Sequence, residues 1–156
     1  MRWIKFKYLL NLIFIFVSMI ITGCIIHSNI FYTPDILLKK DGQPCISIPA
    51  NEDFFLRKKE FNILSLYVFQ TGVGYLWKKN YSDSETQYYV KNQQCLDFNY
   101  HFHENIFYTV EFISIEKGDD EIHRSTKKDW VRYMRIIKKP DGTLQLLLDG
   151  EARDYS

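Results

Sequence analysis

Two of the three Asp-Gly dipeptides, Asp41-Gly42 and Asp141-Gly142, each sit between short apolar runs, and that arrangement commits the chain around them to paired strands. Glycine takes positive φ without steric penalty and aspartate ties a turn with its own side chain, so Asp-Gly flanked by apolar residues signals a hairpin. Residues 36–40 and 43–48 predict the first hairpin, with a two-residue turn that sets Lys40 opposite Gln43 and Leu37 opposite Ile46. Pro44 then falls opposite Lys39, so its strand is an edge there or gains a second neighbour only beyond the proline. Residues 130–138 and 143–148 predict the last hairpin. Pro140 fixes φ, Asp141 continues a type I turn and Gly142 supplies the left-handed residue, with Leu144, Leu146 and Leu148 on the inner face.

Between the hairpins the period-two pattern persists. Residues 51–60 are charged and read as a loop. Residues 61–70 predict a strand with Leu64, Leu66 and Val68 on one face, ended by Thr71-Gly72-Val73-Gly74. Residues 75–79 form a further strand with Trp77 facing the core, then a turn at 81–85 and strands at 87–91 and 94–98. In the strongest strand, 105–116, Tyr108, Val110 and Phe112 share a face while Ile113 and Ile115 are apolar on the other. That strand is buried on both sides or shifted by a bulge near Phe112. Residues 117–129 read as a long polar loop and 151–156 as a frayed tail.

About eight strands, no convincing amphipathic helix and abundant Tyr, Phe, Ile and Val predict an all-β domain over residues 35–150. An antiparallel β-sandwich, Ig-like, is preferred over a small barrel.

The N-terminal stretch is of another kind. Arg2, Lys5 and Lys7 precede an apolar run over residues 12–21, and the run ends in Ile21-Thr22-Gly23-Cys24, which resembles a bacterial lipobox. Residues 1–23 are thus expected to be a signal helix that is removed. Cys24 would then carry the lipid, palmitate among its acyl groups, and residues 24–34 would form a tether. The competing reading is an uncut signal anchor, because Ile25 and Ile26 extend the run towards spanning length. Several acyl chains hold a protein to a bilayer far more firmly than one.

Three of the 20 basic residues lie in the signal, so the remainder carries 17 against 19 acidic residues, a charge of −2 with neutral histidines. Nothing in that balance favours nucleic acid. With Cys24 lipidated, Cys45 and Cys95 remain as one pair in an oxidising compartment and are expected to form a disulfide, two unrelated buried thiols being the alternative.

Catalytic patterns are sparse. His101 and His103 would share a face of a strand and, with Glu104 or His123, suit a metal, but paired surface histidines explain them more simply. Gly72-Val73-Gly74 lacks the third glycine and the helix of a nucleotide fingerprint. The carboxylates Asp97, Glu104 and Glu111 offer an acid–base pair only if the fold assembles them. No metal, cofactor, small-molecule substrate or enzymatic activity is expected. Contact residues for a protein partner are sought in the acidic Asp119, Asp120 and Glu121 and in the aromatics Tyr100 and Phe102, with Tyr88 or Tyr89 as neighbours.

The lipobox, the stretch Asp41-Gly42-Gln43-Pro44-Cys45-Ile46-Ser47-Ile48-Pro49, Leu76-Trp77 after a glycine break, Gln94-Cys95 and Tyr108-Thr109-Val110 together resemble a family of small periplasmic lipoproteins assigned as type VI secretion immunity proteins. The resemblance spans most of residues 36–148. It departs from the family pattern after Cys95, where Leu96-Asp97-Phe98-Asn99-Tyr100 stands in place of a Tyr-Gly turn. It implies a tethered protein that binds an injected toxic effector and occludes it. Ile25, in place of the aspartate that retains lipoproteins in the inner membrane, implies the periplasmic face of the outer membrane of a Gram-negative cell. An envelope assembly lipoprotein with a constitutive outer-membrane partner, or a periplasmic lysozyme inhibitor, is the alternative.

Overall fold

The computed structural model describes residues 30–50, 60–82, 86–116 and 127–155. The signal and lipobox through Cys24, most of the tether, the polar segment at 51–59, His123 and the acidic Asp119, Asp120 and Glu121 lie outside the described residues. Nine strands are described: β1 (Phe31–Tyr32), β2 (Asp35–Leu38), β3 (Pro44–Ser47), β4 (Glu60–Gln70), β5 (Gly74–Asn80), β6 (Tyr88–Lys91), β7 (Phe107–Glu116), β8 (Lys127–Lys138) and β9 (Leu144–Leu148). A short helix, α1 (Asp149–Asp154), follows.

The strands form an all-β sandwich of two unequal layers. The larger sheet runs β1-β8-β7-β4-β5, with β6 sharing an edge of β4 and β9 an edge of β8; the smaller is the β2–β3 hairpin. The large sheet has two ends and does not close into a barrel. Its shape follows from the length of β4 and β8, each of which holds two partners in succession on one edge. β4 gives residues 65–70 to β5 and 60–63 to β6. β8 gives Met134–Lys138 to β9, and Asp129 and Trp130 to β1, which is the one parallel pairing among the described residues.

Both Asp-Gly turns are built alike. Lys39 N–H donates to Gln43 O and Gly42 N–H to Lys39 O, as Lys139 does to Thr143 O and Gly142 to Lys139 O. Gly42 and Gly142 have φ of 78° and 85°. Each loop therefore has three residues, a type I turn closed by a left-handed glycine. The last hairpin matches the expectation, but the first is displaced by one residue. Leu37 faces Cys45 and Ile36 faces Ile46, because Asp41 Oδ1 accepts from Gln43 N–H and draws Lys40 into the loop. That register turns Ile36 and Ile46 together into the core, at 3% and 1% exposure. β3 gains a second neighbour only past Pro44, where Leu96 N–H donates to Ile46 O and Gln93 N–H to Ile48 O.

The inner face of the large sheet is ordered in rows across the strands. Leu66, Phe112 and Trp130 make one row, and Ile63, Ser114 and Lys128 the next. Phe112 stacks on Trp130 with centroids 5.4 Å apart, and Trp130 Nε1–H donates to Ser114 Oγ at 2.8 Å, so the buried indole is satisfied. Of the two alternatives offered for β7, a bulge near Phe112 is not what is found; the register shifts in β4, between Ile63 and Ser65, opposite Ser114 and Ile113. Leu64 is left unpaired with β7, so Phe61, Ile63, Leu66 and Val68 face the core and Leu64 does not continue their stripe.

Both termini of the domain are more ordered than the sequence suggested. Phe31 and Tyr32 pair with β8, and the Tyr32 ring lies 5.3 Å from Trp130, so the tether ends before them. Residues 149–154 form α1, which buries Ala152 against Ile137, Leu147 and Phe107. Arg132 joins the two ends by donating to Pro34 O and pairing with Asp149 at 3.1 Å.

Candidate functional site

From β6 to β7 the chain runs through residues 92–106 without a strand, although 94–98 carry a strand pattern. A connection of this length inside a small domain is uncommon unless it serves recognition. This one is extended, and its side chains alternate. Leu96 and Phe102 are buried and Phe98 and Tyr100 half-buried, while Asp97, Asn99, His101 and His103 are exposed.

What holds it is a set of single anchors in place of a ladder. The Cys45–Cys95 disulfide ties its start to β3. Asp97 N–H donates to the Tyr88 hydroxyl at 2.9 Å, and His103 N–H to the Tyr108 hydroxyl at 2.9 Å. Directly before His103, Phe102 N–H donates to Gln43 Oε1 at 2.9 Å, and Gln43 Nε2–H donates to Phe102 O at 3.2 Å. At the far end Asn105, in the left-handed region with φ of 62°, donates its N–H to Ile136 O. Beneath the segment the aromatic rings interlock edge to face. Tyr100 lies 5.0 Å from Phe102, and Phe102 5.2 Å from Tyr108.

Burial sets the electrostatics of the two anchoring phenols. It pushes Tyr108 up to about 12, with the Tyr100 hydroxyl adding to the rise and the hydrogen bond from His103 opposing it. Burial also raises Tyr88, against the hydrogen bond from Asp97. Both phenols stay neutral at any physiological pH, so the anchors do not titrate.

Between the segment and the tip of the β2–β3 hairpin lies an open groove of about 340 Å³, with Lys39 and Gln43 on one wall and Asp97, Asn99, Tyr100 and His101 on the other. Cation, amide, carboxylate, phenol and imidazole face one another there, a mixture that suits the polar surface or protruding side chain of a protein. Of the aromatics selected from the sequence, Tyr100 lines the groove. Phe102 is 4% exposed; its ring is a wedge in the core, and its backbone is what Gln43 holds. Gln43 carries no local signal for that part, because its partner lies fifty-nine residues away.

The other candidates are dispersed. The rings of His101 and His103 meet edge to face at 5.1 Å, and among the described residues no group of three His, Cys, Asp or Glu side chains is placed to hold a metal. Asp97 and Glu104 lie on the segment, whereas Glu111 points from the opposite side of the sheet, since Val110 and Phe112 point inward. The fold does not assemble the three as an acid–base pair.

Residues 31–139 match the model of a family described as a domain of unknown function, DUF7480. The chain belongs to that family. The match begins at β1 and ends in the last turn, so the DUF7480 region holds the disulfide, the segment and the groove, while β9 and α1 follow it. Comparison with curated proteins gives no match, and comparison with solved structures gives none.

Proposed function

We propose that this DUF7480 protein is a lipid-anchored periplasmic binding protein that neutralises an incoming type VI secretion effector by occluding it. The observation that supports this reading is the anchored segment at residues 95–104. Its backbone is held by the disulfide, by Gln43 and by the Tyr88 and Tyr108 hydroxyls, and its outward side chains form a mixed polar row beside a groove. A binder that is ordered beforehand loses little affinity to ordering on contact, which is what tight capture of a toxin requires. The resemblance carried by the lipobox and the Pro44-Cys45 strand supplies the class of partner, and Cys24 supplies the tether.

Survival in mixed culture tests the proposal. Recipient cells lacking the gene are set against neighbours with an active secretion apparatus, then complemented with the wild-type chain or an Asn99→Arg/His101→Glu variant. The wild type is expected to restore survival. The variant, folded as judged by an unchanged melting curve, is expected not to. Equal survival of deleted and complemented recipients overturns the reading.

A further inference from the structure

The chain enters the domain at one end of β8 and forms its groove at the other. β1 runs parallel to β8, with Phe31 beside Asp129 and Tyr32 beside Trp130, so the entry lies at the Lys127 end of that strand. The tip of the β2–β3 hairpin stands at the opposite end: a side chain at Gly42 would meet Leu144 Cδ1, and Leu144 pairs with Lys138. The segment that makes the other wall of the groove ends there as well, where Asn105 N–H donates to Ile136 O. Asp129 and Lys138 are nine residues apart on β8, roughly 30 Å of extended strand.

At the entry end two large apolar side chains are open to solvent. Ile30 is 72% and Phe31 59% exposed, whereas Tyr32 is turned in against Trp130. The length of chain before them indicates what covers them. Cys24 lies six positions before Ile30, and six residues span at most roughly 20 Å however the chain runs. A bilayer is that close whether Cys24 carries the lipid or the apolar run ending at Ile26 is kept uncut as an anchor. The charged residues at this end of β8 are matched within the domain, Lys127 with Asp129 at 3.8 Å and Lys128 with Glu116 at 4.0 Å, so they favour neither sign of lipid. Two apolar side chains alone would hold a protein to a bilayer only weakly. A short tether makes the contact intramolecular, and a weak contact then suffices.

We propose that the entry end of the domain docks on the bilayer, with Ile30 and Phe31 seated in the lipid interface and the groove facing away from it. The proposal rests on the membrane tether of the reading above and adds an orientation to it. The domain does not swing freely on its tether, and the groove is held at the far end of β8, where a partner arriving from outside the membrane meets it first.

Quenching by brominated lipid tests this, on the full chain as the cell processes it, reconstituted in vesicles of zwitterionic phosphatidylcholine. Phe31→Trp sets a reporter at the entry end. Val73→Trp sets one at the groove end, since Val73 is 67% exposed in the turn after Gln70, Gln70 pairs with Tyr108 and Tyr108 with Met134. Taken as the difference from the wild type, Phe31→Trp emission is expected to shift to the blue in vesicles and to fall roughly two-fold when the acyl chains carry bromine, as for an aromatic ring in the interface. Val73→Trp emission is expected to do neither. Ile30→Trp keeps the test open if Phe31→Trp folds poorly. Reporters at 30 and 31 that stay unquenched in a chain that floats with the vesicles, or a reporter at 73 quenched as strongly as they are, overturn this proposal alone. A chain that does not float with vesicles overturns the tether and the proposal together. Survival in mixed culture reads the segment at residues 95–104 and is decided separately.

Discussion

The side-chain amide of Gln43 stands where a neighbouring strand would stand for Phe102. It accepts the Phe102 N–H at 2.9 Å and returns a donor to the Phe102 carbonyl at 3.2 Å. One side chain thus satisfies both backbone groups of a residue whose ring is in the core, and so fixes the later part of the segment that borders the groove. Replacing Gln43 with leucine removes both bonds and leaves the Phe102 N–H without an acceptor, at a cost of about 1–3 kcal/mol. Thermal unfolding reads the loss. Hydrogen exchange at the Phe102 amide should accelerate by more than at Val110, which keeps its ladder.

The disulfide acts at the start of the same segment. It closes a loop of fifty residues from β3 to residue 95. In the chain-entropy account such a loop is worth about 4 kcal/mol. The Cys45→Ser/Cys95→Ser double variant should lose stability of that order in urea unfolding, and the wild type under reductant should follow it. A loss below about 1 kcal/mol would mean that Gln43, Tyr88 and Tyr108 hold the segment without the bridge.

Legibility in the sequence followed the range of the interaction. The last hairpin was readable because Pro140, Asp141 and Gly142 each occupy the position their backbone preference dictates, with Leu144, Leu146 and Leu148 alternating behind them. The first hairpin was misread by one residue because Asp-Gly serves two- and three-residue loops alike, and the deciding bond from Gln43 N–H to Asp41 is not visible as a pattern. β1 is two residues long and pairs in parallel with a strand nearly a hundred residues away, so it has no period to detect. α1 is shorter than two turns, and its one buried residue, Ala152, sets up no helical periodicity. The apolar Ile113 and Ile115 did register, since they lie on the outer face of the sheet, turned away from the β2–β3 layer. Gln43 escaped for the opposite reason: its part in the site exists only after the segment has folded onto the hairpin.

Ser114 supports the largest ring of the core. Its hydroxyl accepts from Trp130 Nε1 at 2.8 Å, and both residues are fully buried. Ser114→Ala leaves an indole N–H with no acceptor, which costs about 1–3 kcal/mol. Chemical denaturation measures it. Ser114→Thr keeps the acceptor but adds a methyl to a filled core, so it should be destabilising by overpacking while leaving the near-ultraviolet signal of Trp130 in place.

Glu111 gives a pH dependence of unusual sign for a carboxylate. Its folded pKa is raised, by burial first and by Asp129 second, so the folded protein prefers it protonated. The stability associated with the neutral form is fully present below the unfolded carboxyl pKa and is lost as pH rises through the folded one. Glu111→Gln should therefore raise the melting temperature at neutral pH. The gain should shrink as the solution is acidified below the carboxylate range, because the wild type then becomes neutral too.

Tyr108 produces the corresponding effect in alkali. Its phenol is fully buried, accepts the His103 N–H and is pushed up to about 12 from an ordinary value of 10.0. Below pH 10 the neutral phenol is retained by folded and unfolded chains alike, and its contribution to stability is complete. Between 10 and 12 the unfolded chain releases the proton while the folded chain keeps it, so stability falls with rising pH, approaching a loss of about 2–3 kcal/mol at the upper end. Tyr108→Phe cannot titrate. At pH 8 it should be less stable than the wild type by about 1 kcal/mol, because the His103 N–H loses its acceptor. As the pH is raised from 10 to 12 that difference should close and then reverse. A difference that stays constant over the interval would mean that the Tyr108 hydroxyl reaches solvent through the groove wall, and that the segment above it opens without global unfolding.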